Sequence, residues 1–564
     1  MDNKQGAFTF VLHSHLPYAR MAGRWPHGEE WIHEGATDTY LPLLSALHDL
    51  AAEGVRYRLT ISITPVLAEQ LADPDILSNL DAYIEDLRDR AQSDIARFER
   101  GGEPHRAYVA RFYRDRFSDL LDQFRNRFGR DLIGAFRWLQ DEGYVELATS
   151  AATHGYLPLF ERDSSIYAQV RQGVRTYRKH FGRAPESFWL PECAYRPAYM
   201  RDDGVRKPGI EEFLAGEGLL VFFVETNAIL GGQPIGKAAG DAIGPYGAVP
   251  KRYTIPHTEY PEPSRRTTFQ PYWVAEPRVA AVGRNIETGL QVWSADHGYP
   301  GDFVYREFHK KDGESGLHYW RVTGARVELG EKDLYDPYAG FERTKDHAAH
   351  FTALVENEVA AYASTSGKYG VVSAAYDTEL FGHWWFEGVA WLKEVLRELS
   401  QSPSVALTGA AEYVRDHPPE DVVALPEGSW GQQGTHFTWM NADTAWMWPI
   451  INGAQRRMED IVASHGSAPR EALAQLAREL LLLESSDWPF LVTTGQARQY
   501  AELRFTEHVE RFETLAGQIA SGNVDLASVG SMYERDKLFA DADPRDFEAR
   551  EGIAGPIADG VRRA

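Results

Sequence analysis

Cysteine is almost absent from this chain of 564 residues, which contains Cys193 alone. A single cysteine cannot form an intramolecular disulfide, so the cysteine content does not indicate an oxidising compartment. Residues 1–6 are polar and lack the apolar stretch of a signal peptide. No apolar run approaches the ~20 residues that a membrane span needs. The sequence therefore predicts a cytoplasmic protein without a membrane partner.

Basic residues are also fewer than acidic ones. The chain has 59 Lys and Arg against 82 Asp and Glu, which gives a net charge of −23. Nucleic acids and anionic membranes bind basic surfaces, so this balance argues against both as partners. The sequence has no P-loop, no G-x-S-x-G motif and no internal repeat. A neutral ligand suits an acidic protein of this kind.

Apolar and aromatic residues, by contrast, are plentiful. Hydrophobic residues make up 43% of the chain, which is ample for burial, and the length predicts two or three domains. There are 15 Trp and 27 Tyr. Aromatic rings suit the apolar faces of sugars, but they also fill large cores, which is their commoner use.

Short apolar runs alternate with segments of helical periodicity along much of the chain. This order indicates βαβ units and a parallel sheet. Strands are predicted at 7–12, 57–63, 145–149, 187–190, 219–224, 279–282, 290–293 and 369–375. Helices are predicted at 40–53, 136–141, 165–181, 344–363, 391–399 and 471–483.

Residue composition and predicted secondary structure also divide the sequence into regions. Residues 1–75 and 136–400 carry the strand–helix pattern of a barrel, and residues 76–135 are charged, helical and poor in strands, as in a helical insertion. Residues 401–540 are predicted to be a C-terminal helical domain, and residues 541–564 a flexible tail. Residues 231–251 are rich in Gly and Pro and predict a lid-like loop.

Polar side chains follow several predicted strands at the point where each strand ends. These are His13 and His15, His154, Glu192 and Asp377. The carboxyl ends of parallel barrel strands meet at one mouth, where catalytic groups of such barrels lie. The sequence therefore predicts one shared site.

The residue types at this site leave four kinds of chemistry open. Two carboxylates in aromatic surroundings suit glycoside cleavage. The H-x-H pair with a carboxylate could hold a metal, as in a metal-dependent polysaccharide deacetylase or hydrolase. Cys193 could act as a nucleophile with His13 or His154 as base, although the adjacent carboxylate disfavours its thiolate. The protein could also bind carbohydrate without catalysis.

Five stretches of the chain, in order, resemble the motifs of glycoside hydrolase family 57. They are HSHLPYAR (13–20), GYVELATSAATHGYLPL (143–159), WLPECAYRP (189–197), AAYDTELFGHWWFEG (374–388) and SSDWPF (485–490). Within that family, the forms WLPECAYRP and ELFGHWWFEG are more similar to those of 1,4-α-glucan branching enzymes than to those of amylases or 4-α-glucanotransferases.

The resemblance implies an α/β fold, an incomplete (β/α)7 barrel with a helical insertion and a C-terminal all-helical domain that contributes to a glucan groove. It implies Glu192 as nucleophile and Asp377 as general acid/base, with no metal and no cofactor. The implied activity is cleavage of an α-1,4-glucan and transfer of the fragment to a 6-hydroxyl. Hydrolysis and 4-α-glucan transfer are the alternatives within the family. We expect a monomer.

The resemblance also implies which residues contact the glucan. His13, His15, His154 and His383 would line the donor-sugar subsite. The remaining candidates are Trp273, Trp384, Trp430, Trp439 and Asp487 in the groove, Trp25 and Trp31 as weaker choices, and Tyr246 on the lid.

The two carboxylates need different pKa values for this chemistry. We expect Glu192 to be ionised, helped by Arg196 or by a histidine, and we expect the pKa of Asp377 to be raised by its aromatic surroundings.

Overall fold

The computed structural model describes residues 4–24, 26–233, 243–244, 247–248, 260–275, 279–293, 298–324 and 326–550. Ten strands form the main sheet of this part of the chain. They are β1 (Gly6–Ser14), β2 (Leu59–Ile63), β3 (Val145–Ser150), β4 (Ser187–Trp189), β5 (Val221–Val224), β6 (Tyr272–Val274), β7 (Val279–Gly283), β8 (Gly370–Asp377), β9 (Val405–Leu407) and β10 (Val422–Val423).

The sheet curls into a barrel of parallel strands. Its order is β8-β1-β2-β3-β4-β5-β7-β6-β10, and β9 also pairs with β1. Every pairing from β8 to β7 along this order is parallel, which makes seven consecutive parallel strands among the described residues. The Asn285 N–H, just after β7, donates to the Ser373 carbonyl on β8 at 2.9 Å and closes the ring. The predicted (β/α)7 barrel is confirmed.

The barrel strands are apolar runs because both of their faces are buried. All nine residues of β1 are buried. Inside the barrel, Val11, Trp189 and Phe223 pack together with helix residues Ala410 and Ala411. The N-terminus of that helix is held at the barrel floor by the buried Glu146 carboxylate, which accepts the Ala411 N–H at 3.0 Å.

Helices cover the barrel and continue beyond it. Those before β8 are α1 (Glu29–Gly35), α2 (Leu41–Ala52), α3 (Pro65–Leu71), α4 (Pro74–Arg100), α5 (Pro104–Asp122), α6 (Leu132–Asp141), α7 (Asp163–Phe181), α8 (Ile210–Gly216), α9 (Thr226–Leu230), α10 (Ile286–Trp293) and α11 (Pro337–Ser366). Those after β8 are α12 (Gly388–Ser400), α13 (Ala410–Asp416), α14 (Met447–His465), α15 (Arg470–Leu483), α16 (Asp487–Thr494), α17 (Arg498–Ser521) and α18 (Leu526–Arg535). Two π-helical turns span Ala36–Tyr40 and Gln123–Arg127.

The strand-poor segment after β2 is a pair of long helices, α4 and α5, that pack against each other. Asp73 starts α4 by accepting the Asp75 and Ile76 N–H groups, and Pro74 occupies the first turn, where its missing N–H costs nothing. Ile76, Leu80 and Ile84 follow at helical spacing and are buried. No helix in the described ranges is both long and apolar enough to cross a membrane.

The structure corrects the prediction of a strand at 290–293. These residues end α10, whose first turn is capped by the Asn285 side chain accepting the Thr288 N–H at 2.9 Å. Thr288 and Val292 face the core four residues apart. A run of four apolar residues is too short for periodicity to separate strand from helix.

The C-terminal boundaries also differ from those predicted. Residues 401–425 do not begin a helical domain, because β9 pairs with β1 and β10 pairs with β6. The described part of the predicted tail, up to residue 550, is packed: Pro544–Phe547 form a 3-10 turn, and Phe547 is buried. Asp546 there pairs with Arg175 of α7 at 2.8 Å. Residues 551–564 lie outside the described residues.

Candidate active site

The polar strand-end residues do meet at the carboxyl end of the barrel. His13 lies on β1 directly beside Asp377, the last residue of β8, in the parallel register. Glu192 follows β4, and the charge of Asp377 reaches it strongly enough to raise its pKa. His154 follows β3 and lies 3.8 Å from Glu192, measured from Nδ1 to Oε1.

Glu192 is presented by a strained turn. Its backbone has φ 62° and that of Cys193 has φ 47°, in the left-handed region that residues other than glycine seldom adopt. The turn is held from outside: the Trp430 N–H donates to the Glu192 carbonyl at 3.0 Å, and Tyr195 and Gly428 exchange backbone hydrogen bonds. Strain that the surrounding structure enforces in this way is typical of functional sites.

Burial shifts both carboxylates in the same direction. It raises the pKa of Glu192 to about 8, and the negative charge of Asp377 adds to this effect, whereas the indole of Trp430, which donates to Oε2 at 2.6 Å, opposes it. Burial also raises the pKa of Asp377 to about 7, and the neighbouring His15 and Arg284 oppose this rise. The pKa of Asp377 is thus raised in the expected direction, by burial, but the pKa of Glu192, which was expected to be ionised, is raised as well.

Arg196 is not the group that assists Glu192. Its guanidinium donates to the Pro208 carbonyl at 3.1 Å and lies 5.0 Å from the centroid of the Tyr199 ring. The hydrogen bond from Trp430 takes the place that the sequence assigned to this arginine.

The histidines form one hydrogen-bonded stack. The Nε2 atoms of His13 and His154 lie 3.1 Å apart, and the rings of His15 and His154 stack at 3.9 Å. Burial and the neighbouring histidines hold the pKa values of His13 and His154 well below the usual range. Both rings are therefore neutral at pH 7, and in their contact one ring donates and the other accepts. The C-terminal helices complete the stack through Ser486 and Asp487, which hydrogen-bond His154 at 2.9 Å and His15 at 2.9 Å.

Metal ligation fits this arrangement poorly. Ligand atoms of His15, His154 and Asp487 lie within 4.8 Å of one another. However, the stacked rings are only 18° from parallel, so their in-plane lone pairs do not converge on one point as a tetrahedral site requires. The geometry favours hydrogen bonding to a polar ligand.

Cys193 is a poor nucleophile in this setting. It is buried, and the pKa of its thiol is raised well above the usual range, first by burial and further by Glu225 and Glu192. Since the thiolate is the reactive form, the structure disfavours the cysteine-based alternative.

The predicted aromatic residues fall into different positions. Trp430 and Trp273 pack against the barrel-core cluster, which includes Cys193. Trp439, however, is only 1% exposed and stacks on Tyr156 at 4.4 Å, so its ring is covered in this structure, and its place in the glucan groove stays a prediction. Trp31 packs edge-on against Tyr500 at 5.2 Å. Trp25 and Tyr246 lie outside the described residues.

His383 and Trp384 lie on the loop that follows Asp377. His383 Nδ1 is 3.2 Å from Asp38 Oδ2, and the Trp384 ring is 4.0 Å from the ring of Phe308. The Trp384 N–H donates to the Glu379 carbonyl, which joins both residues to the loop that follows Asp377.

Sequence reasoning missed several charged residues around the carboxylates. Glu379 is hydrogen-bonded by the Tyr40 hydroxyl and by the His15 N–H, and burial raises its pKa to about 8. Arg284, just after β7, pairs with Glu225, just after β5, at 2.7 Å. Both of that pair follow strands, so the signal that singled out Glu192 also applied to them.

The fold and its sequence are closely related to proteins of known family. The family model for glycosyl hydrolase family 57 matches residues 9–426, and the model for the 1,4-alpha-glucan branching enzyme C-terminal region matches residues 450–547. A 1,4-alpha-glucan branching enzyme of Thermococcus kodakarensis is 44% identical over 547 residues, which cover 95% of this chain and 77% of that protein.

Solved structures of related proteins are also similar to this chain. The crystal structure of the Thermococcus kodakarensis enzyme superposes with a TM-score of 0.87 at 43% identity, covering 97% of both chains. A branching enzyme from Pyrococcus horikoshii gives 0.85 at 41% identity and covers 98% of both. An alpha-amylase from Thermotoga maritima gives 0.79 at 30% identity, covering 97% of this chain and 99% of its own. This chain is therefore a member of glycoside hydrolase family 57.

Proposed function

We propose that the protein is a 1,4-α-glucan branching enzyme, which cuts an α-1,4-glucan and rejoins the fragment through an α-1,6 bond. One observation carries the glycosidic chemistry: two buried carboxylates, Glu192 after β4 and Asp377 at the end of β8, share the barrel mouth with neutral histidines that can bind sugar hydroxyls. The match of residues 450–547 to the branching-enzyme C-terminal region favours branching over hydrolysis.

In the first step, Glu192 attacks the anomeric carbon while Asp377 protonates the departing glycosidic oxygen. The bond to the leaving chain breaks, and the donor glucan is held covalently on Glu192. In the second step, Asp377, now a carboxylate, takes the proton of an acceptor 6-hydroxyl, which attacks the same carbon and releases Glu192. The first step needs an ionised Glu192 and a protonated Asp377, whereas in the second step Asp377 is ionised and Glu192 carries the donor glucan. Their raised pKa values, about 8 and about 7, mean that the pair retains a proton near neutral pH, and the hydrogen bond from Trp430 favours the ionised form of Glu192.

Hydrolysis is the second candidate, and the similarity to an alpha-amylase keeps it open. The two differ only in whether a glucan hydroxyl or water attacks the covalent intermediate. The α-glucan partner follows from either activity. The monomeric state and the cytoplasmic location stay predictions.

Glu192→Gln tests the proposal. The amide keeps the shape of the side chain but cannot form the covalent intermediate, so branching and hydrolysis of amylose should both fall by more than about 10³-fold. The assay counts new α-1,6 linkages and new reducing ends separately, and thermal unfolding verifies that the variant is folded. Near-normal activity of the folded variant would rule out Glu192 as nucleophile, whereas wild-type protein that yields reducing ends but no branch points would establish hydrolysis instead.

A further inference from the structure

A buried ion pair joins two neighbouring strand ends at the barrel mouth. Arg284 follows β7 and Glu225 follows β5, and their charged groups meet at 2.7 Å with side chains only 7% and 8% exposed. The parallel register of the two strands places Gly283 beside Val224, so the paired residues come next on each strand. The Arg284 N–H donates to the Val224 carbonyl at 3.1 Å, and the Thr226 hydroxyl donates to the Arg284 carbonyl at 2.8 Å. Backbone contacts therefore hold the two charges in place.

The alternation of side chains along the strands puts this pair in the same layer as Asp377. The last apolar residues that the three strands add to the barrel interior are Phe223 of β5, Val282 of β7 and Ala375 of β8. Side chains two positions apart on an extended strand point to the same side, and the backbone stays extended at Glu225 and at Asp377. Glu225, Arg284 and Asp377 are the residues two positions on, so all three point into the mouth above that apolar layer.

The pair also acts electrostatically on the residues of the site. Burial raises the pKa of Asp377, and His15 and then Arg284 oppose that rise. Both partners act on the thiol of Cys193 as well: burial raises its pKa, Glu225 raises it further and Arg284 lowers it. The two charges are therefore within reach of Asp377 and of the turn that carries Glu192.

Other ionisable side chains near Asp377 come from β1, from the turn after β4 and from its own loop. They are His13, His15, Glu192, Cys193 and Glu379. Asp487 reaches this group through its hydrogen bond with His15. All of these can gain or lose a proton, whereas the charge of an arginine is permanent. Arg284 is therefore the fixed positive charge of this group, and Glu225 compensates it.

We propose that Arg284 and Glu225 are positioning residues of the transfer reaction, a compensated pair of charges that lets Asp377 act first as an acid and then as a base. The inference rests on the proposed roles of Glu192 and Asp377. An arginine without its partner would hold Asp377 as a carboxylate, which has no proton for the departing oxygen. A glutamate without its partner would keep Asp377 protonated and leave no base for the acceptor hydroxyl. The paired charges avoid both extremes.

Neutral substitutions of the two partners should shift Asp377 in opposite directions. Arg284→Met removes the positive charge and raises the Asp377 pKa, so the basic limb of the kcat/KM profile for amylose should move to higher pH by about one unit. Glu225→Gln leaves Arg284 uncompensated and lowers that pKa, so the same limb should move to lower pH by about one unit. The double variant has no charge at either position, and its limb should lie between those of the single variants. The assay measures total glycosidic cleavage, which is the sum of new reducing ends and new α-1,6 linkages.

The buried pair of Lys207 and Asp163 is the matched control, because its side chains are 8% and 7% exposed and lie 2.9 Å apart. Asp163 begins α7, and Lys207 belongs to a hairpin outside the main sheet. Asp163→Asn should therefore lower the melting temperature without moving the basic limb.

Opposite shifts separate an electrostatic role from a structural one. A structural role would lower the activity of both single variants and leave the limb in place. An unmoved limb, or shifts of both variants in the same direction, would overturn the inference. If one single variant does not fold, the other single variant and the double variant still show whether the limb depends on the charge of the pair.

The same assay distinguishes failure of the proposed function. Wild-type protein that makes reducing ends but no branch points would refute branching alone, because cleavage uses the same acid and the limb can still be measured. Wild-type protein that cleaves no glucan would overturn both the proposed function and the role of the pair.

Discussion

At the scale of single residues, Trp430 is the main support of Glu192. Its backbone N–H fixes the strained turn, and its indole N–H donates to the carboxylate at 2.6 Å. A charge-assisted bond of this length favours the ionised form of the acceptor. Trp430 thereby limits the rise in the Glu192 pKa that burial causes. It increases the fraction of Glu192 that is ionised, and so able to act as a nucleophile, near neutral pH.

Trp430→Phe removes the indole N–H but keeps an aromatic ring and the backbone contact. The hydrogen bond lowers the Glu192 pKa, so its loss raises that pKa, and the acidic limb of the kcat/KM profile should move to higher pH by roughly one unit. Activity is then lost first at low pH and recovers as the pH rises. Trp293→Phe is the control, because the Trp293 ring lies 6.3 Å from Trp430 and its indole nitrogen has no hydrogen-bond partner among the described residues. If the acidic limb of the variant's pH profile does not move, the indole does not affect the pKa of Glu192.

At the scale of elements, the turn that begins α16 joins the C-terminal helices to the barrel site through contacts with His154 and His15. The Ser486 N–H donates to the His154 carbonyl at 3.2 Å, and the Ser486 hydroxyl meets the ring of the same histidine. Asp487 accepts from Ser485 at 2.6 Å and holds His15 at 2.9 Å. A segment more than 300 residues away in sequence thus sets the orientation of both rings.

Asp487→Ala tests this role of α16. The change removes the hydrogen bond that orients His15, together with the one from Ser485, so kcat/KM for amylose should fall roughly 10- to 100-fold. The melting temperature should change little, because the barrel and the helical region keep their other contacts. Glu513→Ala, an exposed ion-pair residue of α17, serves as the control and should behave as wild type. A melting temperature that drops in step with activity would mean that Asp487 acts on folding and not on His15.

Local pattern was enough to predict most elements and the strand-end site, because barrel strands are continuous apolar runs and their carboxyl ends must converge. It failed where the outcome depends on distant partners. The burial of Trp439 is decided by Tyr156, and the support of Glu192 by Trp430 depends on a loop 238 residues later. Glu379 stood inside a recognised motif, but only its contacts with Tyr40 and His15 reveal its place in the site.

At the scale of the whole molecule, the protein buries several carboxyl groups, and burial raises their pKa values. Burial raises the pKa values of Glu192 and Glu379 to about 8 and those of Asp377 and Glu484 to about 7. The unfolded chain ionises the same groups near their ordinary values of about 4. Between these limits the folded state binds protons that the unfolded state has released, and each such group makes unfolding easier as the pH rises.

The free energy of unfolding should therefore fall as the pH rises from 6.5 to 8, by about 1.4 kcal/mol per pH unit for each group that is still protonated in the folded state. The buried histidines oppose this trend most strongly at pH 6.5, where the unfolded chain still binds protons that they lack in the folded state, and their opposition fades as the pH approaches 8, so the fall is clearest between pH 7.5 and 8. Urea unfolding at pH 6.5, 7, 7.5 and 8 measures the slope. Glu379→Gln replaces one of these groups by a neutral side chain of the same shape, so its slope should be shallower by about 1.4 kcal/mol per pH unit. Equal slopes for the variant and the wild type would show that Glu379 is already ionised in the folded protein at pH 6.5.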